Sequence, residues 1–387
     1  MSIVRCEIHP DIICDNNNLG NQTAWVEDIE TNMGKMDPAR SRNRKSFTAA
    51  ANLFKNKIDD MRIIASIWTQ PHWMKESAQV CNGNFSHGGH LPFTDAAREQ
   101  NARYIVAAVQ AIEDRFDIAL YALSPQNELG MAHPCASWTT SSKKYSSQDS
   151  DGPGYCTWIP EVKRLHSELE ANGLQHVRIM GPEEMTIGHD GDIWKTWFQM
   201  KFVKNIYSDM GMMDILDIWC HHDYSREDAS PSTGNRMVQE WVWSGHTGSN
   251  QPALNWDGYA DHPRPVWMTE GETADNTWER AMDFANYMQD ALVAGNVSAY
   301  LPWALGTESV NDKHGGTVYA GGNETYYRLP TYAFKHFARY VRPGAVRFAV
   351  SPDDPSSLTA SAYVHAENRT LTVVVLNNGS SDETVLL

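Results

Sequence analysis

Two glutamates stand at the ends of apolar runs in the sequence. Glu128 follows the run Ile118–Ser124 after "PQN", and Glu270 closes the run Pro265–Glu270. An ionisable side chain next to a buried strand is costly unless it has a partner or a task. Hydrolysis of a glycosidic bond needs such a pair, because one carboxyl group protonates the leaving oxygen while a carboxylate attacks or stabilises the anomeric carbon. The two glutamates therefore predict glycosidic chemistry.

Other polar and aromatic residues also lie within or at the ends of apolar runs. Arg5 lies inside the first run, His222 and Tyr224 close the run Ile215–His222, and Trp303 ends the run Ser298–Trp303. A cation and a phenol beside one carboxylate would keep it ionised. Packing alone does not explain this set, so we predict that the residues converge on one site.

Each residue also has a plainer interpretation. Glu128 could cap the next helix, and Arg5 could be a structural ion-pair partner, although it would still need an acid nearby. His221, His222 and Asp223 suggest a metal site, but neighbours in a strand point to opposite faces, so we predict no metal. The sequence offers further acids that rival the chosen pair: Glu183, Glu184 and Glu272.

The elements that must position these residues alternate between strands and helices. The strand-like runs are Ser2–Ile8, Arg62–Trp68, Ile118–Ser124, Val177–Gly181, Ile215–His222, Pro265–Glu270 and Ser298–Trp303. Helical faces are predicted from two sets of apolar residues: Ile105, Ala108, Val109, Ile112 and Phe116, then Ala281, Ala285, Met288 and Leu292 before Gly295. The alternation favours an α/β fold, either a (β/α)8 barrel or an open doubly wound sheet. In a barrel, the site lies at the carboxyl ends of the strands.

The pattern changes after "VRPG". Leu358–Val364 and Thr370–Leu376 are predicted to be antiparallel strands, and Asn378-Gly379 a hairpin turn leading to "ETVLL". We therefore predict a catalytic domain over residues 1–343 and part of a β-sandwich over residues 344–387.

Composition excludes some partners. The net charge of −16 argues against nucleic acid, and no apolar run is long enough to cross a bilayer. The 14 tryptophans are a weak hint of carbohydrate, whose rings stack on flat aromatic faces. The cysteines show no metal spacing; Cys6 and Cys220 are predicted to be buried free thiols, and a disulfide between Cys135 and Cys156 stays open.

Several segments resemble glycoside hydrolase family 30. "SIWTQPHWMK" (Ser66–Lys75) is similar to that family's Ser-Pro-Trp segment, "LSPQNE" to its acid/base segment and "WMTE" to its nucleophile segment. "HHDY" resembles its His-x-Tyr, and "YVRPGAVR" resembles the junction between its barrel and its side β-sandwich. The order is also that of the family, and the resemblance implies a (β/α)8 barrel of the larger clan of retaining glycosidases.

The resemblance implies a role for each residue. Glu128 would be the general acid/base and Glu270 the nucleophile, with the two carboxyl groups roughly 5–5.5 Å apart. Asn127 would bind the 2-hydroxyl of the sugar. The remaining residues would hold the nucleophile or shape the subsite: Arg5, Trp68, His222, Tyr224 and Trp303.

The chain departs from the family at a few places. Leu129 replaces the usual proline after the acid/base, and Gln70 and Ile67 are unusual in their segment. Arg5 matches the family's second barrel strand, so we predict that the first strand and a leader for secretion are missing through truncation, and that the sandwich is cut short.

These patterns predict a secreted, monomeric retaining β-glycosidase without a cofactor. The resemblance implies a β-linked oligo- or polysaccharide substrate such as xylan, β-1,6-glucan or β-1,6-galactan. For glucuronoxylan, Lys313 or Arg328 would bind the uronate. The alternatives are a glucosylceramidase-like exo-acting enzyme, a sugar-binding protein without activity, and a metal-dependent hydrolase.

Overall fold

Seven parallel strands form the centre of the molecule. The computed structural model describes residues 3–8, 41–55, 61–71, 74, 94–128, 153–184, 209–223, 264–272, 275–307, 316–321, 323–350 and 357–385. The strands are β1 (Ile3–Ile8), β2 (Arg62–Ile67), β3 (Leu120–Ser124), β4 (Arg178–Glu184), β5 (Leu216–Asp223), β6 (Val266–Glu272) and β7 (Ala299–Trp303). They pair in chain order from β1 to β7. Each lies within two or three residues of a predicted run, and the predicted barrel is confirmed as nearly closed.

Helices cover the outside of the sheet. They are α1 (Ser41–Lys55), α2 (Asp95–Phe116), α3 (Pro153–Ala171), α4 (Met210–Ile215), α5 (Trp278–Val293) and α6 (Leu329–Ala338). The Thr94 side chain caps α2 and the Thr277 side chain caps α5. Both predicted helical faces are confirmed, since their residues are buried or half-buried. Among the described helices, none has the length and apolar character needed to cross a bilayer.

Alternate residues of the strands face opposite ways. One set packs outward under the helices, for example Cys6, Ile63 and Leu123. The other set fills the barrel interior with Ile64, Ala122, Met180, Ile218, Cys220, Trp267 and Leu301. This apolar layer is a packed core, and the polar residues lie above it at the carboxyl ends of the strands. Cys6 and Cys220 are buried free thiols as predicted; the open disulfide falls outside the described residues.

An acid is buried between two outer helices. Glu161 of α3 is 5% exposed, and its Oε1 lies 3.8 Å from Nε of Arg98 on α2. Burial raises the pKa of Glu161 to about 8, against the opposing effects of Arg98 and Asn101. The carboxyl group is therefore protonated in the folded protein over a range where it is ionised in the unfolded chain.

The raised pKa of Glu161 predicts that the protein loses stability as pH rises. The folded pKa is about 8 and the unfolded value 4.5, so the folded state binds the extra proton and loses stability as pH rises through that window. Glu161→Gln mimics the protonated form, and we expect it to melt several degrees above the native protein near pH 8, with the gap closing as pH falls. Thermal melts across pH test this. Glu170→Gln on the same helix, with a 58% exposed side chain, is the control. A difference in melting temperature between Glu161→Gln and the native protein that stays constant with pH would contradict the raised pKa of Glu161.

The C-terminal part forms a three-stranded antiparallel sheet. Its strands are β11 (Val346–Phe348), β12 (Leu358–His365) and β13 (Thr370–Asn377), paired in that order. The predicted pairing of the last two is confirmed. The prediction of a strand in "ETVLL" is wrong for residues 383–385, which belong to no strand. The side chain of Asn377 instead forms hydrogen bonds with Gly379 and Ser381 in a local turn. The sheet shares a core with α5 and α6, and the domain boundary at residue 343 stays a prediction.

A second small sheet follows β7. It consists of β8 (Gly306–Thr307), β9 (Val318–Gly321) and β10 (Glu324–Tyr327), and the sequence analysis did not predict it. The strands are very short, and β10 is exposed along its whole length, so no apolar run in the sequence predicts them.

Candidate active site

Arg5 lies at the centre of the polar layer. Its Nε is 2.9 Å from Oε1 of Glu183, its Nη1 donates to Oε2 of Glu270 at 2.5 Å, and its Nη2 donates to Oδ1 of Asn127 at 2.5 Å. Nε also donates to Oγ of Ser66 at 3.0 Å. Although burial lowers the pKa of Arg5, both carboxylates raise it above its usual value. The guanidinium is thus a permanent cation that fixes four side chains.

Glu270 faces the site because β6 contains a bulge. Val266 and Met268 pack outward under the helices, and simple alternation would send Glu270 the same way. Instead, His221 pairs with Met268 and His222 with Glu270, so Thr269 is an extra residue on β6. A bulge of this kind re-aims the side chains that follow it. Glu270 is thereby turned inward to Arg5.

A glycine after Glu270 permits this packing. A Cβ on Gly271 would lie 2.7 Å from Cε of Met268 and 3.0 Å from the hydroxyl of Tyr300. Contacts this short would displace the neighbouring strand side chains. Glycine therefore keeps the end of β6 in place beside β7.

Asn127 and Glu128 leave β3 through a tight turn held by the neighbouring strands. The backbone N–H of Asn127 donates to the carbonyl of Ile67 at 2.8 Å, and that of Glu128 donates to the carbonyl of Glu183 at 3.0 Å. Glu128 has φ +49°, in the left-handed region that costs a non-glycine residue energy. Such a conformation persists only where the surrounding structure holds it. Here the turn directs the carboxyl group of Glu128 toward β5. Glu128 does not cap a described helix.

His222 connects the two carboxyl groups. Its Nδ1 is 3.1 Å from Oε1 of Glu128, and its Nε2 is 3.8 Å from Oε1 of Glu183 and 3.9 Å from Oε2 of Glu270. Burial alone lowers the pKa of His222, but Glu270, Glu128 and Glu183 together raise it to about 9. The ring is therefore a cation near neutral pH, and Nδ1–H donates to Glu128.

Two tryptophans form an aromatic wall beside Arg5. The ring centroids of Trp68 and Trp303 are 5.6 Å apart, and the guanidinium carbon of Arg5 lies 4.6 Å from the Trp68 ring centroid. Trp303 is 37% exposed, unlike the buried residues around Arg5. The wall therefore offers a flat apolar face next to the carboxyl groups.

The two predicted catalytic carboxyl groups face each other. One oxygen of Glu128, one oxygen of Glu270 and one ring nitrogen of His222 lie within 4.8 Å of one another. Such a cluster can in principle hold a metal ion. However, the His222 ring is a cation with its nitrogens turned to carboxylates, and Arg5 already neutralises Glu270. The donor set does not fit a cation.

Glu183 belongs to the site, although the sequence analysis predicted no role for it beyond that of a rival acid. It is fully buried, contacts Arg5 through both oxygens and lies next to His222. Pro182 pairs with Cys220 and Glu184 with His221, so Glu183 is an extra residue on β4, and its φ is +53°. An acid directly after Gly-Pro at the end of a run was the available signal, but the predicted run ended at Gly181.

The remaining predictions have mixed outcomes. The structure brings together Arg5, Trp68, Asn127, Glu128, His222, Glu270 and Trp303. Tyr224 and Lys313 lie outside the described residues. The idea that Arg328 binds a uronate is wrong, because its side chain is buried and Nη1 donates to the carbonyl of Gly316 at 2.8 Å.

Comparison with known proteins identifies related sequences and folds. No protein-family model matches the chain. The chain is 23% identical over 363 residues to the glucuronoxylanase XynC of Bacillus subtilis (strain 168), covering 89% of the chain and 68% of that protein. The chain thus spans about two thirds of the length of its curated relatives.

Solved structures share the fold. The endo-β-1,6-glucanase BT3312 aligns with a TM-score of 0.67 and 18% identity, over 99% of this chain and 77% of that one. The catalytic domain of the GH30 xylanase C from Talaromyces cellulolyticus aligns with a TM-score of 0.61 and 18% identity, over 98% and 75%. The chain therefore has the barrel fold of the GH30 enzymes.

Proposed function

We propose that this chain, a glycoside hydrolase by its sequence relatives and its fold, cleaves β-linked glycans with retention of configuration and belongs to family 30. The observation that carries the proposal is the pair of carboxyl groups at the end of the barrel. One oxygen of Glu128 and one oxygen of Glu270 lie within 4.8 Å of each other, which is close to the roughly 5–5.5 Å of retaining enzymes and well below the roughly 6.5–9.5 Å of inverting ones.

The first step forms a covalent intermediate. The Glu270 carboxylate attacks the anomeric carbon, and the bond from that carbon to the leaving oxygen breaks as Glu128 gives its proton to that oxygen. Arg5 holds Glu270 through Nη1 and so directs its other oxygen to the sugar. We assign Glu270 as the nucleophile because the guanidinium of Arg5 fixes its carboxyl group in place, whereas Glu128 contacts the ring of His222.

The second step releases the sugar. Glu128, now a carboxylate, takes a proton from water, and the water oxygen attacks the anomeric carbon as the ester bond to Glu270 breaks. Oδ1 of Asn127 accepts from Arg5, so its amide nitrogen is the group that can donate to the 2-hydroxyl. Trp303 provides the face on which the sugar ring packs.

The curated relative and the structural neighbours support polysaccharide substrates. Their names include a glucuronoxylanase, a xylanase and an endo-β-1,6-glucanase. We propose a polymer of the xylan, β-1,6-glucan or β-1,6-galactan type. A protein that acts on such polymers meets them outside the cell, so we also propose that it is secreted. We further propose that it acts as a monomer and that residues 1–343 form its catalytic unit.

A panel of polysaccharides tests the function. Glucuronoxylan, unsubstituted xylan, β-1,6-glucan and β-1,6-galactan are each incubated with the protein, and the products are separated by size. A ladder of oligosaccharides from one of them supports the proposal. Release of monosaccharide alone would indicate the exo-acting alternative, and binding without products would indicate a sugar-binding protein.

A further inference from the structure

A third carboxylate lies beneath the proposed catalytic pair. Glu183 is fully buried, and its oxygens contact Nε and Nη2 of Arg5 at 2.9 and 3.2 Å. Although burial raises the pKa of Glu183, Arg5 and His222 lower it well below its usual range. Glu183 is therefore ionised throughout the working pH range. Because it lies below Arg5 and is closed off from solvent, it does not meet the substrate.

The other groups around it set the charge of the site. Arg5 and His222 are cations, and Glu183 and Glu270 are anions, so these four charges cancel. The pKa of the Cys220 thiol is raised well above its usual value by burial and by Glu183, and burial raises that of Cys6 to about 12 against the effect of Arg5, so neither thiol adds charge. Ser66 contributes a neutral hydroxyl. The side chains of Glu184, Asp223, Tyr224 and Glu272 lie outside the described part of the chain.

We propose that Glu183 is a positioning residue whose fixed negative charge keeps a proton on the His222–Glu128 pair of the free enzyme. The inference rests on the proposed function. His222 and Glu128 are in contact at 3.1 Å, and groups this close titrate as a pair rather than separately. With the four surrounding charges balanced, the pair retains the proton that Glu128 delivers to the leaving oxygen.

The same balance reverses after the first step. When Glu270 becomes an ester it loses its charge, and the cations Arg5 and His222 then exceed Glu183 by one positive charge. A carboxylate at Glu128 restores neutrality, so Glu128 now accepts a proton from water. Glu183 is the charge that stays constant while Glu270 loses its charge and Glu128 changes from acid to base.

Neutralising Glu183 should change the pH dependence of the reaction. In Glu183→Gln the free enzyme carries an uncompensated positive charge, so the His222–Glu128 pair loses its first proton at lower pH. We expect the alkaline limb of the profile of kcat/KM against pH to move down by about one unit or more. Glu183→Asp keeps the charge and should keep the limb in place, even if the rate falls. Glu168→Gln, which removes a carboxyl group paired with Arg164 on α3 and away from the site, should leave the profile unchanged.

Two results would overturn the inference. An alkaline limb that does not move in Glu183→Gln, whatever the rate, would reduce Glu183 to a structural residue. If that variant does not fold, proton NMR of the native protein decides, with the His222 ring identified by its loss in His222→Asn: a ring that is neutral at neutral pH contradicts the inference, and a cationic ring supports it.

The NMR titration also separates this inference from the proposed function. It reads the charge of His222 without turnover, so its downward shift in Glu183→Gln can be seen even in a protein that cleaves no glycan. Failure of the whole polysaccharide panel would refute the function alone, and a His222 titration that is unaffected by Glu183→Gln would refute the role of Glu183 alone.

Discussion

Glu270→Gln is expected to abolish glycan hydrolysis while leaving the protein folded. The amide is nearly the same size and shape but cannot attack the anomeric carbon. Removal of the nucleophile in a covalent mechanism costs catalysis on the order of 10^4-fold or more in kcat. Folding should persist because the amide oxygen can still accept from Arg5, and Arg5 keeps its ion pair with Glu183.

The measurement is kcat/KM on the best polysaccharide of the panel, with thermal melting of each variant as the test of folding. Glu367→Gln, an exposed glutamate in the turn between β12 and β13, is the matched control and should keep full activity. A variant with native folding that retains more than a few per cent of the activity would contradict the assignment of Glu270.

Glu128→Ala is expected to show a loss that depends on the leaving group. A general acid contributes about 10²–10⁴-fold, and the contribution is largest when the leaving group is a poor one such as a sugar hydroxyl. On polysaccharide we therefore expect a fall of this size. With an aryl glycoside whose phenolate leaves without protonation, the first step should remain fast, while the second step, which needs Glu128 as base, becomes limiting.

Added azide should separate the role of Glu128 from that of Glu270. The small anion needs no general base, so it should fill the space of the missing Glu128 side chain, restore turnover and give a β-glycosyl azide. An equal loss for good and poor leaving groups, or a rescued product of α configuration, would show that Glu128 is not the acid/base. Glu367→Ala is the control for both substrates.

The regular part of the fold follows directly from the sequence. Apolar runs of strand length and helical faces are properties of neighbouring residues, and burial of those residues drives the elements together. The runs therefore located all seven strands of the described barrel, and His222 and Trp303 were predicted at the carboxyl ends of strands because their runs end on them.

The orientation of Glu270 could not be derived in this way. Along β6, Val266, Met268 and Glu270 share one parity, and the first two pack outward. A one-residue slip moves a side chain to the other face of a sheet, and the extra residue Thr269 makes that slip. Bulges depend on pairing with a neighbouring strand, so no local pattern in the sequence reveals them.

Glu183 was predicted only as a rival acid, and its role beside Arg5 was not predicted, for a related reason. It is the extra residue of β4, and its partner Arg5 lies 178 positions earlier in the chain. A long-range ion pair leaves no periodic signal. The choice between Glu128 and Glu270 as acid and nucleophile was likewise not accessible from spacing, and it came from the resemblance to a family.

The anomeric configuration of the first product tests the central claim most directly. Proton NMR during the first minutes of hydrolysis, before the anomers equilibrate, records which form is released. The account predicts the β-anomer. Carboxyl oxygens of Glu128 and Glu270 that lie within 4.8 Å of each other favour a double displacement, in which two successive inversions at the anomeric carbon retain its configuration. Initial release of the α-anomer would mean a single displacement by water, and the two carboxyl groups would then not act as acid/base and nucleophile.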